Sequence, residues 1–107
     1  MKIGVFITSN DTEKAWNAIR YMNVALEMGH TVTAFLMNNG VEVEFMDHEL
    51  FDIQDQWQKY AELGGKLYSC GTCLQFRKRR DDAQLSTVTT MIEAVKITEE
   101  SDKVLTF

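Results

Sequence analysis

The amino-acid sequence predicts an α/β protein with a mainly parallel sheet of four to five strands and helices on both faces. Short, continuous apolar runs, typical of strands buried on both faces, recur along the chain. Segments with helical apolar spacing separate them, and this alternation produces crossover connections between parallel strands. The 107 residues, 45% of them hydrophobic and 25% charged, are ordinary for one globular domain. We therefore expect a single domain over residues 1–107.

The first half of the chain predicts a strand, a helix and a second strand. Residues 3–7 form an apolar strand, and polar cap groups at residues 9–12 precede a helix over about residues 13–28. Gly29 fits the left-handed residue that ends such a helix, and residues 31–37 are rich in strand formers. The helical spacing predicts a buried face that consists of Ala15, Ala18, Ile19, Met22, Ala25 and Leu26.

The same helix carries a second apolar stripe, formed by Tyr21, Val24 and Met28. Apolar residues scattered over a surface are common and need no special explanation. A contiguous stripe is also typical of a subunit interface in a homo-oligomer. Both interpretations stay open at the level of the sequence.

The second half of the chain continues the alternation. Residues 41–52 mix acids with apolar residues and indicate a loop with a helical turn. The segments that follow are predicted to be a helix, a strand, a short helix, a final helix and a closing strand at about residues 53–63, 66–69, 73–79, 87–98 and 102–107. The predicted inward faces of the two longer helices consist of Ile53, Trp57, Tyr60 and Ala61 in one and of Val88, Met91, Ile92 and Val95 in the other.

Both cysteines of the chain lie in the motif Cys70-Gly71-Thr72-Cys73, where the third strand meets a short helix. Free backbone N–H groups at a helix start favour thiolate over thiol, and thiolate is the nucleophile in sulfur and disulfide chemistry. A second thiol one turn further can resolve a mixed disulfide or a persulfide. Gly71 allows a backbone or a partner to approach closely. Open α/β sheets also bind ligands at the carboxyl ends of their strands.

Three other interpretations of the thiol pair compete with this one. The cysteines could be small buried hydrophobic residues without chemistry. A zinc site would need both cysteines to converge with His30 and His48, which have no recognised ligand spacing, so we expect no metal. A thioredoxin-like fold places its thiols after its first strands and beside a cis-proline, whereas this pair comes late and the chain has no proline. Disulfide exchange on another fold stays open.

Net charge and segment lengths exclude several classes of partner. A net charge of −5 argues against direct binding to nucleic acid or an anionic membrane, and no apolar run reaches the roughly 18 residues of a membrane span. The N-terminal apolar run is too short for a secretory signal, which predicts a reducing cytoplasm, where structural disulfides are rare. The basic run at residues 77–80 is either a solvated helix end or a docking patch for an acidic protein or tRNA.

Ligand-binding signals elsewhere in the chain are weak. Residues 8–12 contain no glycine, so no phosphate-binding loop follows the first strand, and we expect no cofactor. Ser9 and Asn10 either contact a ligand or cap the first helix. Asp47, His48 and Glu49 are either an acid–base set or solvated loop residues.

The order and spacing of several motifs resemble those of the DsrE/DsrF-like (YchN-like, TusD-related) sulfur-relay family. The resemblance covers nearly the whole chain. It rests on the segments Ile3-Gly4-Val5-Phe6-Ile7, Met28-Gly29-His30-Thr31-Val32-Thr33, Asn39-Gly40-Val41, Ser69-Cys70-Gly71-Thr72-Cys73-Leu74 and Ser101-Asp102-Lys103-Val104-Leu105-Thr106-Phe107.

This resemblance implies a three-layer α/β/α fold, assembly into trimers or hexamers, and sulfur relay between donor and acceptor proteins. By its position, Cys70 is similar to the cysteine that carries a persulfide in such proteins, and basic residues such as Arg77 recur after it. The residues that we assign to substrate or partner binding are Ser9, Asn10, Gly40, Gly71, Thr72 and Arg77.

Cys73 departs from the family pattern, in which sulfur carriers have one cysteine at this place. It weakens the case for pure sulfur storage and supports reductase chemistry as an alternative, because Cys73 could displace sulfide from a Cys70 persulfide and leave a disulfide. Family members without such a cysteine serve only in assembly. The sequence therefore supports three hypotheses: persulfide relay through Cys70 with Cys73 assisting or resolving, thiol–disulfide or persulfide reduction, and a non-catalytic oligomeric binding subunit.

Overall fold

The computed structural model describes residues 1–107, and its elements alternate between strand and helix. The strands are β1 (Lys2–Ile7), β2 (Thr31–Leu36), β3 (Lys66–Cys70), β4 (Thr87–Thr89) and β5 (Lys103–Thr106). The α-helices are α1 (Thr12–Glu27), α2 (Ile53–Glu62), α3 (Gly71–Phe76) and α4 (Met91–Glu100). Two 3₁₀ helices cover Asn38–Phe45 and Arg80–Asp82. None of the helices has the length and apolar character needed to cross a membrane.

All five strands are parallel and lie in the order β4-β3-β2-β1-β5. Helices α1 and α2 pack against each other on one face of the sheet. Helix α4 connects β4 at one edge to β5 at the other, and this reversal of direction places it on the opposite face. There it packs so closely that a Cβ on Gly4 would lie 2.9 Å from the Ile97 side chain. The three-layer α/β/α fold is thereby confirmed.

The largest side chains of the core lie between the sheet and the layer formed by α1 and α2. Alternate residues of a strand point to the same face, so Ile3, Val5 and Ile7 share this layer, and all three are buried. Trp57 and Tyr60 of α2 are the largest fully buried side chains. Their rings meet edge to face, with 5.6 Å between centroids, which is a favourable aromatic geometry.

The predicted ends of α1 are confirmed. Asp11 is the N-cap residue, and its carboxylate accepts a hydrogen bond from the backbone N–H of Lys14 at 2.9 Å. Gly29 follows the helix with a φ of +92°, the left-handed conformation that glycine adopts without strain. The helix therefore stops where its sequence provides the stop signal.

The prediction of a final helix over residues 87–98 is wrong at its start and in its orientation. Residues 87–89 form the edge strand β4 instead, and Thr90 caps α4 by accepting a hydrogen bond from the Ile92 N–H. Val88 accordingly lies in the strand. Met91, Ile92 and Val95, predicted to face inward, are exposed, because α4 turns Ala94 and Ile97 toward the sheet.

Two smaller expectations also need correction. Ala61 is exposed, although it was expected on the buried face of α2. The short helix covers Gly71–Phe76, so it begins and ends earlier than expected. It ends there because Lys78 takes a left-handed conformation with a φ of +57°. The backbone N–H groups of Lys78 and Arg79 then cap the carbonyls of Gln75 and Leu74.

Tyr60 provides a test of the packing between α2 and the sheet. Its hydroxyl donates to the Lys66 carbonyl at 2.6 Å and also lies 3.3 Å from the Val32 carbonyl, and burial raises the pKa of the Tyr60 hydroxyl. An unfolded tyrosine ionises near pH ~10. The stabilisation by Tyr60 is therefore present below that pH and is lost as pH rises above it.

We expect Tyr60→Phe to lower the free energy of unfolding by about 1–3 kcal/mol at neutral pH, because the Lys66 carbonyl loses the hydrogen bond that the Tyr60 hydroxyl donates to it. The difference from wild type should shrink above about pH 10. There the unfolded wild-type chain gains stability by ionising Tyr60, whereas the folded protein must keep the hydroxyl protonated. Urea unfolding at both pH values measures it. Tyr21→Phe, at a site that is 48% exposed, is the control and should change little. An equal loss at both pH values would contradict the assignment.

Candidate active site at the carboxyl edge of the sheet

The carboxyl ends of β1, β2 and β3 bring three connecting segments to one edge of the sheet. These are the loop at residues 8–11, the 3₁₀ helix Asn38–Phe45 and α3. In the strand register, Ile7 lies beside Leu36 and Leu36 lies beside Ser69, so the three segments start side by side. This edge is where parallel α/β sheets bind their ligands.

The two thiols lie in different environments although only two residues separate them. Cys70 ends β3, pairs in register with Thr89 of β4, and is 4% exposed. Cys73 lies in the first turn of α3 and is half-buried. Both are free cysteines. The predicted strand-to-helix junction is confirmed, and it leaves Cys73 as the more accessible thiol.

A cleft of about 500 Å³ opens beside Cys73. The side chain of Phe76, which is 82% exposed, stands at this cleft. Cys70 is not part of its lining. The residues that form the cleft are Asn38, Asn39, Thr72, Cys73, Phe76 and Arg77.

Two neighbouring groups stabilise negative charge on the Cys73 sulfur. The backbone N–H of Asn38 donates to Sγ at 3.3 Å, and the Arg77 guanidinium lies close enough to donate to the Cys73 carbonyl at 3.2 Å. Burial nevertheless raises the pKa of Cys73, and the neighbouring Cys70 thiol raises it further. The Asn38 N–H and Arg77 offset part of that increase.

Asn10 and Arg77 belong to one polar network at the mouth of the cleft. The Asn10 amide donates to the Glu42 carboxylate at 2.9 Å and accepts a hydrogen bond from the Asn39 amide at 3.3 Å. The same carboxylate lies 3.8 Å from the Arg77 guanidinium. The structure therefore brings these two predicted binding residues together with the cleft, through Glu42 as an intermediary.

The remaining predicted binding residues have identifiable structural roles. The Ser9 hydroxyl accepts a hydrogen bond from the Asp11 N–H at 3.1 Å and so shapes the turn before α1. A Cβ on Gly40 would overlap the Ile7 carbonyl oxygen, and one on Gly71 would lie 2.8 Å from the Arg80 guanidinium. Gly40 is thus required for close packing against backbone, whereas at Gly71 the nearest atom belongs to a flexible side chain that can move. Thr72 lines the cleft.

Comparison with known proteins identifies the family. The sequence model of the DsrE/DsrF-like family matches residues 1–107. The chain belongs to the DsrE/DsrF-like family. The resemblance of the sequence motifs is therefore confirmed along the whole chain.

Relatives of this DsrE/DsrF-like chain match it over nearly their full length. The uncharacterized protein MJ0989 of Methanocaldococcus jannaschii is 33% identical and is covered completely, as is this chain. The structure of YchN from E. coli superimposes with a TM-score of 0.84 at 23% identity and covers 100% of both chains. A conserved protein of unknown function, BT1422 from Bacteroides thetaiotaomicron, gives a TM-score of 0.83 at 17% identity over 99% of this chain and 94% of its own. The two structures share the fold.

A buried carboxylate that the sequence did not single out stabilises the surroundings of the Cys70–Cys73 thiol pair. Glu44 is 7% exposed and accepts hydrogen bonds from the backbone N–H groups of Gln84 and Leu85, both at 2.9 Å, and from the Ser86 hydroxyl. The Ser86 hydroxyl in turn bonds to that of Ser69 at 2.6 Å. This series of hydrogen bonds ends at Ser69, the residue directly before Cys70. A single acidic residue in an irregular segment offered no sequence signal for such a role.

The basic run at residues 77–80 is largely engaged within the protein. The Arg79 guanidinium bonds to Asp82 at 3.0 Å and lies 4.0 Å above the Phe45 ring, and Arg80 packs against Gly71. Lys78 is exposed. Arg79 and Arg80 thus have partners within the protein, whereas Lys78 has none among these contacts.

The two histidines do not join the cysteines. His30 precedes β2 at the amino edge of the sheet, where its Nδ1 lies 2.8 Å from the Met1 amino group. His48 lies in an exposed loop with Asp47 and Glu49, and its ring packs against Phe51 with 5.2 Å between centroids. No three His, Cys, Asp or Glu side chains converge in a way that could hold a metal ion. The zinc interpretation of the cysteines therefore lacks a ligand set.

Glu44 provides a test of how the site is supported. We expect Glu44→Gln to lower the free energy of unfolding by about 2–3 kcal/mol, because an amide cannot accept every hydrogen bond that the carboxylate accepts. Urea unfolding measures the loss. Glu42→Gln, on the same 3₁₀ helix but with a side chain that is 38% exposed, is the matched control and should cost less than about 1 kcal/mol. Equal losses in the two variants would disprove a special role for Glu44.

Proposed function

We propose that this DsrE/DsrF-like protein transfers sulfur, with Cys70 accepting a sulfane sulfur as a thiolate and Cys73 assisting or resolving. The observation that carries the proposal is a pair of neighbouring free thiols at a strand end, one of which opens to a cleft. At Cys73, the Asn38 N–H and the Arg77 guanidinium offset part of the increase that burial causes in the pKa of the thiol. Membership of a family that is generally related to sulfur relay supports the same chemistry.

In the proposed reaction, the acceptor thiolate attacks the terminal sulfur of a donor persulfide, R–S–SH. A new S–S bond forms on the protein, the S–S bond of the donor breaks, and the donor leaves as a thiolate that takes up a proton. Attack by an acceptor thiol on the protein persulfide passes the sulfur on by the same exchange. Oxidation states are conserved overall, so the reaction needs no redox cofactor.

The proximity of Cys73 to Cys70 favours a second candidate function, which is persulfide reduction. The Cys73 thiolate would attack the inner sulfur of a Cys70 persulfide, expel hydrosulfide and leave a Cys70–Cys73 disulfide. A dithiol reductant would then have to restore the two thiols. Retention of sulfur after loading therefore separates relay from reduction.

We also propose that the protein is a homo-oligomer, a trimer or a hexamer, that works with sulfur donor and acceptor proteins. The second stripe of α1 is open to solvent, with Tyr21 48%, Val24 54% and Met28 70% exposed. The Tyr21 ring also contacts that of Phe107, with 5.8 Å between centroids. Covering this apolar surface in an assembly would remove it from water.

Sulfur transfer predicts that the wild-type protein keeps one sulfur atom after loading. The protein is equilibrated with glutathione persulfide, freed of donor, treated briefly with a small thiol that strips exposed persulfides, and weighed intact by mass spectrometry. We expect the wild type to gain the mass of one sulfur atom and Cys70→Ser to retain none, because its carrier thiol is missing. Gln75→Ala, an exposed change on the same helix, should match the wild type.

Other results of this experiment contradict sulfur relay and identify its replacement. A wild-type mass lower by two hydrogen atoms in a sample weighed before the thiol treatment, together with persulfide trapped in Cys73→Ser, would indicate the reductase. Unchanged masses for the wild type and both cysteine variants in samples weighed before the thiol treatment would indicate a non-catalytic binding subunit.

The oligomer is tested by native mass spectrometry. We expect the wild type to show a mass of three or six chains, and Val24→Glu to shift the population toward single chains, because the new charge cannot be buried cheaply. Gln58→Glu adds the same charge at an exposed polar position of α2 and should leave the assembly intact. A strictly monomeric wild type would rule the assembly out.

A further inference from the structure

We propose that sulfur reaches the thiol pair through Cys73 and is then passed to Cys70, which holds it away from solvent. This inference rests on the proposed sulfur transfer and adds the order in which the two thiols react. It makes Cys73 the first acceptor of sulfur and Cys70 the residue that carries it.

Access to the two sulfur atoms supports this order. Cys73 lines the open cleft of about 500 Å³, whereas Cys70 is 4% exposed and does not line it. The backbone beside Cys70 is tightly packed, since a Cβ on Gly71 would lie 2.8 Å from the Arg80 guanidinium and 3.2 Å from the Thr89 carbonyl. A donor must bring its terminal sulfur into contact with the attacking thiolate. Cys73 allows that approach without rearrangement of the surrounding chain.

Hydrogen bonding at the cleft points in the same direction. The Asn38 N–H donates to the Cys73 sulfur at 3.3 Å, and this bond becomes charge-assisted when Cys73 is a thiolate. Asn38 has a φ of +55°, a left-handed conformation that asparagine tolerates better than most residues. Cys70 is the N-cap residue of α3, yet its side chain accepts no capping hydrogen bond. The Asn38 N–H therefore offsets part of the increase that burial causes in the pKa of Cys73, and it does so at the thiol that lines the cleft.

The first step converts Cys73 into a persulfide. Its thiolate attacks the terminal sulfur of R–S–SH, the new bond forms between the Cys73 Sγ and that sulfur, and the donor bond breaks. The electron pair of the broken bond leaves with the donor thiolate, which takes up a proton.

The second step moves the same sulfur atom inward. The Cys70 thiolate attacks the outer sulfur of the Cys73 persulfide, so that one S–S bond forms on Cys70 while the bond on Cys73 breaks. The proton lost by the Cys70 thiol restores the Cys73 thiol. The sum of both steps is one sulfur atom transferred to Cys70, with no net oxidation or reduction.

The order of reaction is tested by rapid mixing with glutathione persulfide, acid quenching and intact-mass analysis. We expect Cys73→Ser to lower the initial rate of sulfur uptake by about tenfold or more, because the buried thiol must then react directly. Cys70→Ser should load at the wild-type rate but lose its sulfur to a small thiol, because Cys73 lies in the open cleft. Gln75→Ala should match the wild type in both rate and retention.

The position of the sulfur gives a second measurement. After alkylation and digestion, fragment masses of early and late wild-type samples should locate sulfur first on Cys73 and later on Cys70. Circular dichroism checks that each variant is folded, and Cys70→Ala replaces Cys70→Ser if the hydroxyl disturbs the buried site.

Two outcomes separate this order from the proposed function. Uptake by Cys73→Ser at the wild-type rate, with sulfur still retained by the wild type, would overturn the order and leave sulfur transfer intact. If the wild type takes up no sulfur, the result contradicts both the proposed sulfur transfer and the proposed order of reaction.

Discussion

The close contact between the 3₁₀ helix Asn38–Phe45 and the end of β1 is the constraint on which the candidate site depends. The backbone N–H of Met37 donates to the Ile7 carbonyl at 3.0 Å, and Gly40 has no Cβ that would overlap the same oxygen. The 3₁₀ helix is therefore seated directly on the carboxyl edge of the sheet. A larger residue at position 40 would displace it and, with it, every group that it presents to the thiols.

The three-residue period of this helix distributes its contacts in two directions. Asn39 and Glu42 lie one turn apart on the same side, and they hold Asn10 and Arg77 at the mouth of the cleft. Glu44 lies on a different side and fixes the segment that leads into β4. One short helix thus positions a wall of the cleft and also the chain that packs beside Cys70. The site is consequently a property of three chain segments and not of the cysteine motif alone.

The sequence predicted the long, periodic elements best and the short edge elements worst. Helix α1 was placed to within one residue at each end, because a broad apolar face and clear end signals agree there. Strand β4 has only three residues and is followed closely by a helix. Its apolar residue therefore fits the helical spacing of the residues that follow, and the strand cannot be told from the start of the helix. Met91, Ile92 and Val95 form an apolar face that points away from the sheet. Periodicity identifies an apolar face, but only the strand order decides which side of a helix meets the sheet.

The same distinction between local and distant information applies to the site. The thiol pair and its strand-to-helix junction could be predicted because the motif is contiguous, whereas the partners of Asn38 and Glu44 lie 35 and 42 residues away along the chain. The local sequence does not show that the two cysteines differ in access to solvent, yet the strand-to-helix junction makes them differ. A residue that ends a strand belongs to the sheet layer, and a residue one turn into the next helix lies outside it. The difference in access between Cys70 and Cys73 therefore follows from the position of the motif at the end of a strand, and a contiguous motif alone does not reveal it.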